Sequence, residues 1–170
     1  MDSSSLGNNA WLSGFIEADG HFYCGFDLNA DGLATQVKCY MSISQKQLYK
    51  ANSDKLKYNS NFNFMESIKS FLDVKTVNEI KRIKKNYIEA AYLVKVLKKS
   101  SCEALINYLN NYPLFSSKYQ DFLDWHKAYL IKISRKNITQ SGTHELISVK
   151  NSMNTKRTQF NWDSLNKFYI

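Results

Sequence analysis

Ten residues near the amino terminus, Trp11-Leu-Ser-Gly-Phe-Ile-Glu-Ala-Asp-Gly20, restrict this chain more than any other stretch. Leu12, Phe15 and Ile16 fall at i, i+3 and i+4, the period of a helix with one buried face, and Asn8 or Asn9 can cap its start. Ala10, Gly14 and Ala18 form a second stripe at i, i+4 and i+8, with Ser13 beside it, bare enough for another backbone to come close. Gly20 is expected to take a positive φ and end the helix. Glu17 and Asp19 are left in the last turn, at the negative end of the helix dipole, where an acid costs roughly 0.3–1 kcal/mol. A bound cation would offset that cost. Asp-Gly is also a common turn dipeptide, and by itself it reads as an ordinary turn. The coincidence of a small-residue face, a helix stop and two acids favours a site.

Beyond Gly20 the period changes from helical to two. Phe22, Cys24, Phe26 and Leu28 are expected inside, with His21, Tyr23, Gly25 and Asp27 outside. Asn29-Ala-Asp-Gly32 is a turn signal, after which Val37, Cys39, Met41 and Ile43 face in and Gln36, Lys38, Tyr40 and Ser42 face out. Lys46 to Asn63 is polar and reads as a short helical start followed by a loop. Phe64, Met65, Ile68, Phe71 and Leu72 restore the helical period. Val74 to Lys84 and Glu89 to Lys99 are the next strand candidates, joined around Lys85-Asn86. In the second of these, Tyr92, Val94 and Val96 face one way, with Ala91, Leu93, Lys95 and Leu97 opposite.

A helix opening at Ser100 or Ser101 buries Ala104, Leu105, Tyr108 and Leu109 and closes before Pro113. Another, capped by Ser116 or Ser117, carries Tyr119, Phe122, Leu123, Trp125 and His126 through about Ile133. Gly142 reads as a break, with two short helices following, around Met153-Asn154 and from Trp162. The order is helix, hairpin, helix, hairpin, helices: an α+β class in which helices cover one face of an antiparallel sheet. Residues 1–135 read as a core domain and 136–170 as a helical extension packed on it.

The formal net charge of +8 over 170 residues points to an anionic partner, nucleic acid ahead of a membrane surface. No apolar run reaches membrane-spanning length and no signal-peptide pattern is present, so the expected protein does not enter a membrane and is not secreted. Cys24, Cys39 and Cys102 lack metal-ligand spacing and read as reduced core thiols. The excess of Lys over Arg, with abundant Asn and Tyr, matches A/T-rich codons and an organellar gene, in a mitochondrion or another organelle. The open side of the sheet is expected to carry Tyr23, Asp27, Gln36, Lys38, Tyr40 and Ser42 from the first hairpin. Lys75, Lys81, Arg82 and Lys95 join them from the second. Hydrogen-bonding groups can read base edges while lysines neutralise phosphates. Ordinary solubility is the competing explanation of such a face.

Leu12-Ser-Gly-Phe-Ile-Glu-Ala-Asp-Gly20 closely resembles the signature of the LAGLIDADG family of homing endonucleases and intron maturases. Asn111-Tyr-Pro-Leu-Phe-Ser-Ser-Lys118 looks like that family's segment delivering an active-site lysine, and Gln45 in Ser42-Ile-Ser-Gln45-Lys46 resembles a position contacting the catalytic solvent. The tail, Ile147 to Asn154 with Lys156-Arg157 and Phe160-Asn-Trp162, is similar to the ending of organellar two-motif members. The resemblance implies an αββαββα core with an antiparallel sheet and extra carboxyl-terminal helices. It also implies a site-specific endonuclease hydrolysing double-stranded DNA at a long target with Mg²⁺ or another divalent cation such as Mn²⁺. Asp19 would be the principal metal ligand with the Ala18 carbonyl, Gln45 would orient the water network, and Lys118 would stabilise developing charge. Ala10, Ser13, Gly14 and Glu17 would meet a second such helix, in a homodimer or from a separate half. The rival reading is a maturase that binds intron RNA without needing cleavage.

Overall fold

A computed structural model describes residues 5–50 and 58–168. The opening helix, α1 (Trp11–Asp19), buries Leu12 and Ile16 completely. Its first turn is satisfied from two sources: Asn9 Oδ1 accepts from the Trp11 amide at 2.9 Å, and the Tyr108 hydroxyl accepts from the Ser13 amide at 2.9 Å. The same hydroxyl donates to the Asn9 carbonyl at 3.0 Å. Burial pushes the Tyr108 phenol pKa up.

Strand β1 (Gly20–Leu28) begins at the residue after α1 ends, with no loop between them. The positive φ expected at Gly20 is absent: its φ is −72° and its ψ 146°, extended backbone open to any residue. Glycine is needed there for space, because a Cβ would lie 2.7 Å from both the Cγ2 and the carbonyl oxygen of Ile16. The turn at Asn29–Gly32 forms as expected, Asn29 Oδ1 accepting from the amides of Asp31 and Leu33 and Gly32 taking φ 75°. Strand β2 (Ala34–Lys46) then alternates as expected, after a kink at Gln36, whose φ is 49°. That kink moves the buried positions from even (Ala34) to odd (Val37, Cys39, Met41, Ile43). Leu28, expected inside, is exposed at the strand's end.

In the polar segment after β2, residues 51–57, on which part of the expected helical start and loop falls, lie outside the described residues, and the described residues before them are not helical. Two short strands, β3 (Leu48–Lys50) and β4 (Tyr58–Ser60), pair antiparallel as a separate small sheet. Next come α2 (Phe62–Phe71), β5 (Asn78–Ile83), β6 (Ile88–Val96) and α3 (Lys99–Asn111). The main sheet has the order β1-β2-β6-β5, and β5 pairs antiparallel with β6. Helix α4 (Ser117–Ile133) buries Phe122, Trp125, Ala128 and Tyr129, while Leu123, expected on that stripe, is exposed. Gly142 does not break the chain. It lies in the first turn of α5 (Gln140–Ser152), where a Cβ would overlap the Lys136 carbonyl. The expected pair of short helices is replaced by α5 and by 3₁₀ turns at Asn154–Lys156 and Asp163–Phe168.

The chain forms two compact units, residues 1–21 with 42–112, and residues 22–41 with 113–170. In the first, α1, α2 and α3 contribute Ile16, Met65, Ile68, Leu105 and Leu109, and β6 contributes Val94 and Val96. Phe62 meets Tyr92 edge-on at 5.3 Å, which places α2 against the even-numbered side of β6. In the second, Phe22 packs on Phe122 and Trp125, and the tail is fastened through Arg157. That guanidinium reaches Asp121 and Asp124, each at 2.7 Å. None of the three cysteines forms a disulfide, and all three are buried, as expected.

Replacing Tyr108 by Phe leaves the Ser13 amide without its acceptor in a buried setting. Urea unfolding of Y108F is expected to show a loss of about 1–3 kcal/mol. An unchanged midpoint would mean that another group caps the helix.

Candidate functional site

Asp19 is the last residue of α1, exposed, with no ion-pair partner among the described residues. Gln45, at the far end of β2, donates from Nε2 to Asp19 Oδ2 at 2.5 Å. The abrupt passage from α1 into β1 fixes the carboxylate, and β2 brings the amide to it. Among the described residues no group of three or more His, Cys, Asp or Glu side chains could hold a metal. The Asp19 carboxylate and the Ala18 carbonyl at this helix end are hard oxygens of the kind that suits Mg²⁺ or Mn²⁺, and by themselves they fill only part of a coordination sphere.

Ala10, Gly14 and Ala18 are exposed along one side of α1, and a Cβ placed on Gly14 would meet nothing within 4 Å. Glycine in a helix interior costs about 1 kcal/mol relative to alanine, and no packing within the described chain requires it. Ser13 does not share this open stripe. It is 1% exposed, turned toward the Tyr108 hydroxyl that holds its amide. Glu17 is half-buried.

In the second unit Tyr23 and Tyr40 stack at 4.6 Å on adjacent strands, and burial, reinforced by Tyr23, pushes the Tyr40 phenol pKa up. Asp27, Gln36 and Lys38 are exposed, Lys38 on the same side of β2 as Tyr40. Lys118 lies in the first turn of α4, its amide donating to Ser116 Oγ at 3.1 Å. It belongs to the second unit, Asp19 and Gln45 to the first.

The second hairpin divides the residues expected to share its open side. Arg82 stands opposite Glu89 and Lys81 opposite Ala90, so neighbouring Lys81 and Arg82 point to opposite faces. Arg82 shares the side of Ser44, on the same parity as Ser42: its Nη2 donates to Ser44 Oγ at 2.5 Å and its Nη1 meets Glu89 Oε1 at 3.1 Å. Lys46 Nζ meets Glu89 Oε2 at 3.0 Å. The Lys46 hydrogen bond, with the charges of Lys46 and Arg82, holds the Glu89 carboxyl below the usual carboxylate range against the opposing pull of burial. Lys75 precedes β5 instead of lying in a strand, and joins Lys95 and Lys98 around a groove of about 350 Å³ with Thr76, Asn78 and Ser101. Ser44, Lys46 and Glu89 are the residues that sequence reasoning missed. The signal for Glu89 was an acid at even spacing from Lys95 on a face otherwise basic.

The LAGLIDADG endonuclease family model matches residues 12–129. The intron-encoded DNA endonuclease aI3 of Saccharomyces cerevisiae is 29% identical over the whole chain, which spans 43% of that protein. An uncharacterized cox1 intron-2 protein of Schizosaccharomyces pombe is 30% identical over 86% of the chain, 38% of its own length. The chain thus spans less than half the length of these relatives. Among solved structures, the homing endonuclease I-TnaI superposes with a TM-score of 0.65 at 18% identity, covering 99% of this chain and 97% of that one. The meganuclease I-SmaMI, bound to uncleaveable DNA, gives 0.63 at 24% identity over 88% of this chain and 47% of that one. These two likenesses establish the αββαββα fold, and the match over residues 12–129 places the chain in the LAGLIDADG endonuclease family.

Proposed function

We propose that this chain is one module of a site-specific DNA endonuclease that hydrolyses phosphodiester bonds with a divalent cation, and that a second module completes it. The observation that carries the reading is the exposed Asp19 carboxylate, oriented by Gln45 at the end of a helix whose adjoining side is stripped to Ala10, Gly14 and Ala18. The relatives' names, which describe intron-encoded DNA endonucleases, support it. The cox1 intron that encodes the Schizosaccharomyces pombe relative fits the organellar origin that the composition suggests.

Asp19 and the Ala18 carbonyl would hold Mg²⁺ or Mn²⁺. Bound there, the cation would acidify a water and stabilise the attacking and leaving oxygens of an in-line displacement. Gln45 fixes one oxygen of Asp19 and leaves the other to face the ion and the substrate phosphate. Lys118, assigned by resemblance, would offset negative charge developing on the phosphate. One carboxylate is half of what two adjoining strand cleavages need, so a second helix is expected to pack on the Ala10, Gly14 and Ala18 stripe, from another copy or a separate half. Lys38, Gln36, Tyr23, Tyr40, Asp27 and Ser42 of the first hairpin, with Arg82 and Lys95 of the second and Lys75 before it, would face the duplex. Lys81 is removed from that surface by its register.

Asp19→Asn keeps the shape and the hydrogen bond to Gln45 but removes the charge that holds the ion. Cleavage of a target duplex in Mg²⁺ is expected to fall by at least about a hundredfold, while binding in metal-free buffer changes less than about threefold. Undiminished cleavage would overturn the assignment. Gly14→Leu tests the pairing. The open space around Gly14 predicts an unchanged or slightly raised melting temperature, together with loss of the paired species in light scattering and loss of cutting. A paired and active G14L protein would remove this stripe from the interface.

A further inference from the structure

Resting on the DNA reading above, we infer that Arg82 is a guanine-reading residue and that Glu89 is the positioning residue that makes it so. Arg82 stands on the edge strand β5, yet its guanidinium reaches across β6 to Ser44 on β2, contacting Glu89 on the way. Two of its nitrogens are thereby fixed on adjoining strands. A guanidinium has five N–H donors in a planar fork, so several remain directed away from these braces. The side chain is 27% exposed, against 6% for Glu89.

Charge separates base reading from phosphate binding. Lys46, Arg82 and Glu89 together carry a net charge of +1, since the acid beneath the two cations cancels one of them. An arginine recruited to neutralise phosphate loses much of its attraction when a carboxylate lies 3.1 Å away. An arginine recruited for direction gains from it, because the fork is held before DNA arrives and little side-chain entropy remains to be lost. The groups that best reward such a fork are the O6 and N7 acceptors of guanine in the major groove. Lys46, 48% exposed on the same acid, carries a compact ammonium, a point charge better suited to phosphate than to a base edge.

Position along the strand adds a further constraint. Ser44, Gln45 and Lys46 are consecutive in β2. Gln45 reaches the Asp19 carboxylate, while Ser44 and Lys46, on the other side, hold the Arg82 and Glu89 pair. With about 3.3 Å per strand residue, the guanine read by Arg82 lies among the base pairs nearest the cleaved bonds.

The test uses the full chain and a pool of randomised duplex DNA in metal-free buffer, followed by affinities on the selected duplex and its single-base variants at several salt concentrations. The wild type is expected to select one guanine whose replacement weakens binding roughly 5- to 150-fold. Arg82→Lys should level that preference alone and leave the slope of affinity against salt unchanged. Glu89→Gln should level it too, while binding to unselected duplex stays equal or becomes tighter. Should Glu89→Gln fail to fold by circular dichroism, Ser44→Ala removes the other brace and is read in the same way. A uniform loss across all sequences in Arg82→Lys, with the salt slope reduced by about 0.9, would make Arg82 a phosphate contact and overturn the inference. An intact guanine preference in a folded Glu89→Gln protein would overturn the role of Glu89. A wild type that selects no sequence would overturn the DNA reading itself and this inference with it, an outcome distinct from the other two.

Discussion

The hydrogen bond between Gln45 and Asp19 depends on a helix that becomes a strand without a connecting residue. Helix α1 ends at Asp19 and β1 starts at Gly20, whose missing Cβ lets the new strand leave past Ile16 at van der Waals contact. An intervening loop would give the carboxylate the freedom of a turn. Without one, its position follows from two rigid elements, the buried Leu12 and Ile16 face of the helix and the first residues of a sheet. The helix start is fixed as firmly, by a tyrosine hydroxyl from α3 bound to both an amide and a carbonyl. A carboxylate held at the unfavourable end of a helix dipole is thus a property of the scaffold.

The same economy appears on the sheet. Period-two alternation gives β2 two different tasks at adjacent residues: Gln45 serves the helix end, and Ser44 and Lys46 serve the opposite side. Glu89, nearly buried on that opposite side, ties β6 to both neighbouring strands through one arginine and one lysine. Two fixed polar groups therefore stand one strand residue apart, on opposite sides of β2. In the proposed reading, the first addresses the bond to be broken and the second the bases beside it.

Much of this was legible in the sequence, and the failures share a cause. The helical periods of α1, α2, α3 and α4, the alternation of the first hairpin and the Asn29–Gly32 turn are local patterns that depend on a single buried side. What was missed depends on partners far along the chain. In the sequence Gly20 and Gly142 look like conformational signals, but both are glycines because a Cβ would strike a neighbouring carbonyl. Ser13 looks in sequence like part of the open stripe, because nothing near it signals that a hydroxyl 95 residues away accepts from its amide. Lys81 and Arg82 looked equivalent until the pairing register set them on opposite faces. The strands β3 and β4 are three residues each, Leu48-Tyr-Lys50 and Tyr58-Asn-Ser60, too short to leave a periodic trace.

The open side of α1 connects assembly to chemistry. Asp19 and the Ala10, Gly14 and Ala18 stripe lie on one nine-residue helix, so a second helix seated on that stripe would bring its own end beside Asp19. If Asp19 is the one carboxylate that a lone chain offers to a cation favouring several oxygens, the free chain would hold the ion weakly and the paired form more tightly. Metal binding and pairing are then linked: whatever strengthens one strengthens the other by the same factor. A lone module with a complete metal site could nick DNA wherever it met a phosphate. In the proposed reading, dividing the site between two helices would restrict hydrolysis to the assembled, DNA-bound state, and the unfilled space beside Gly14, in a helix that alanine would stabilise, would be the structural cost of that restriction.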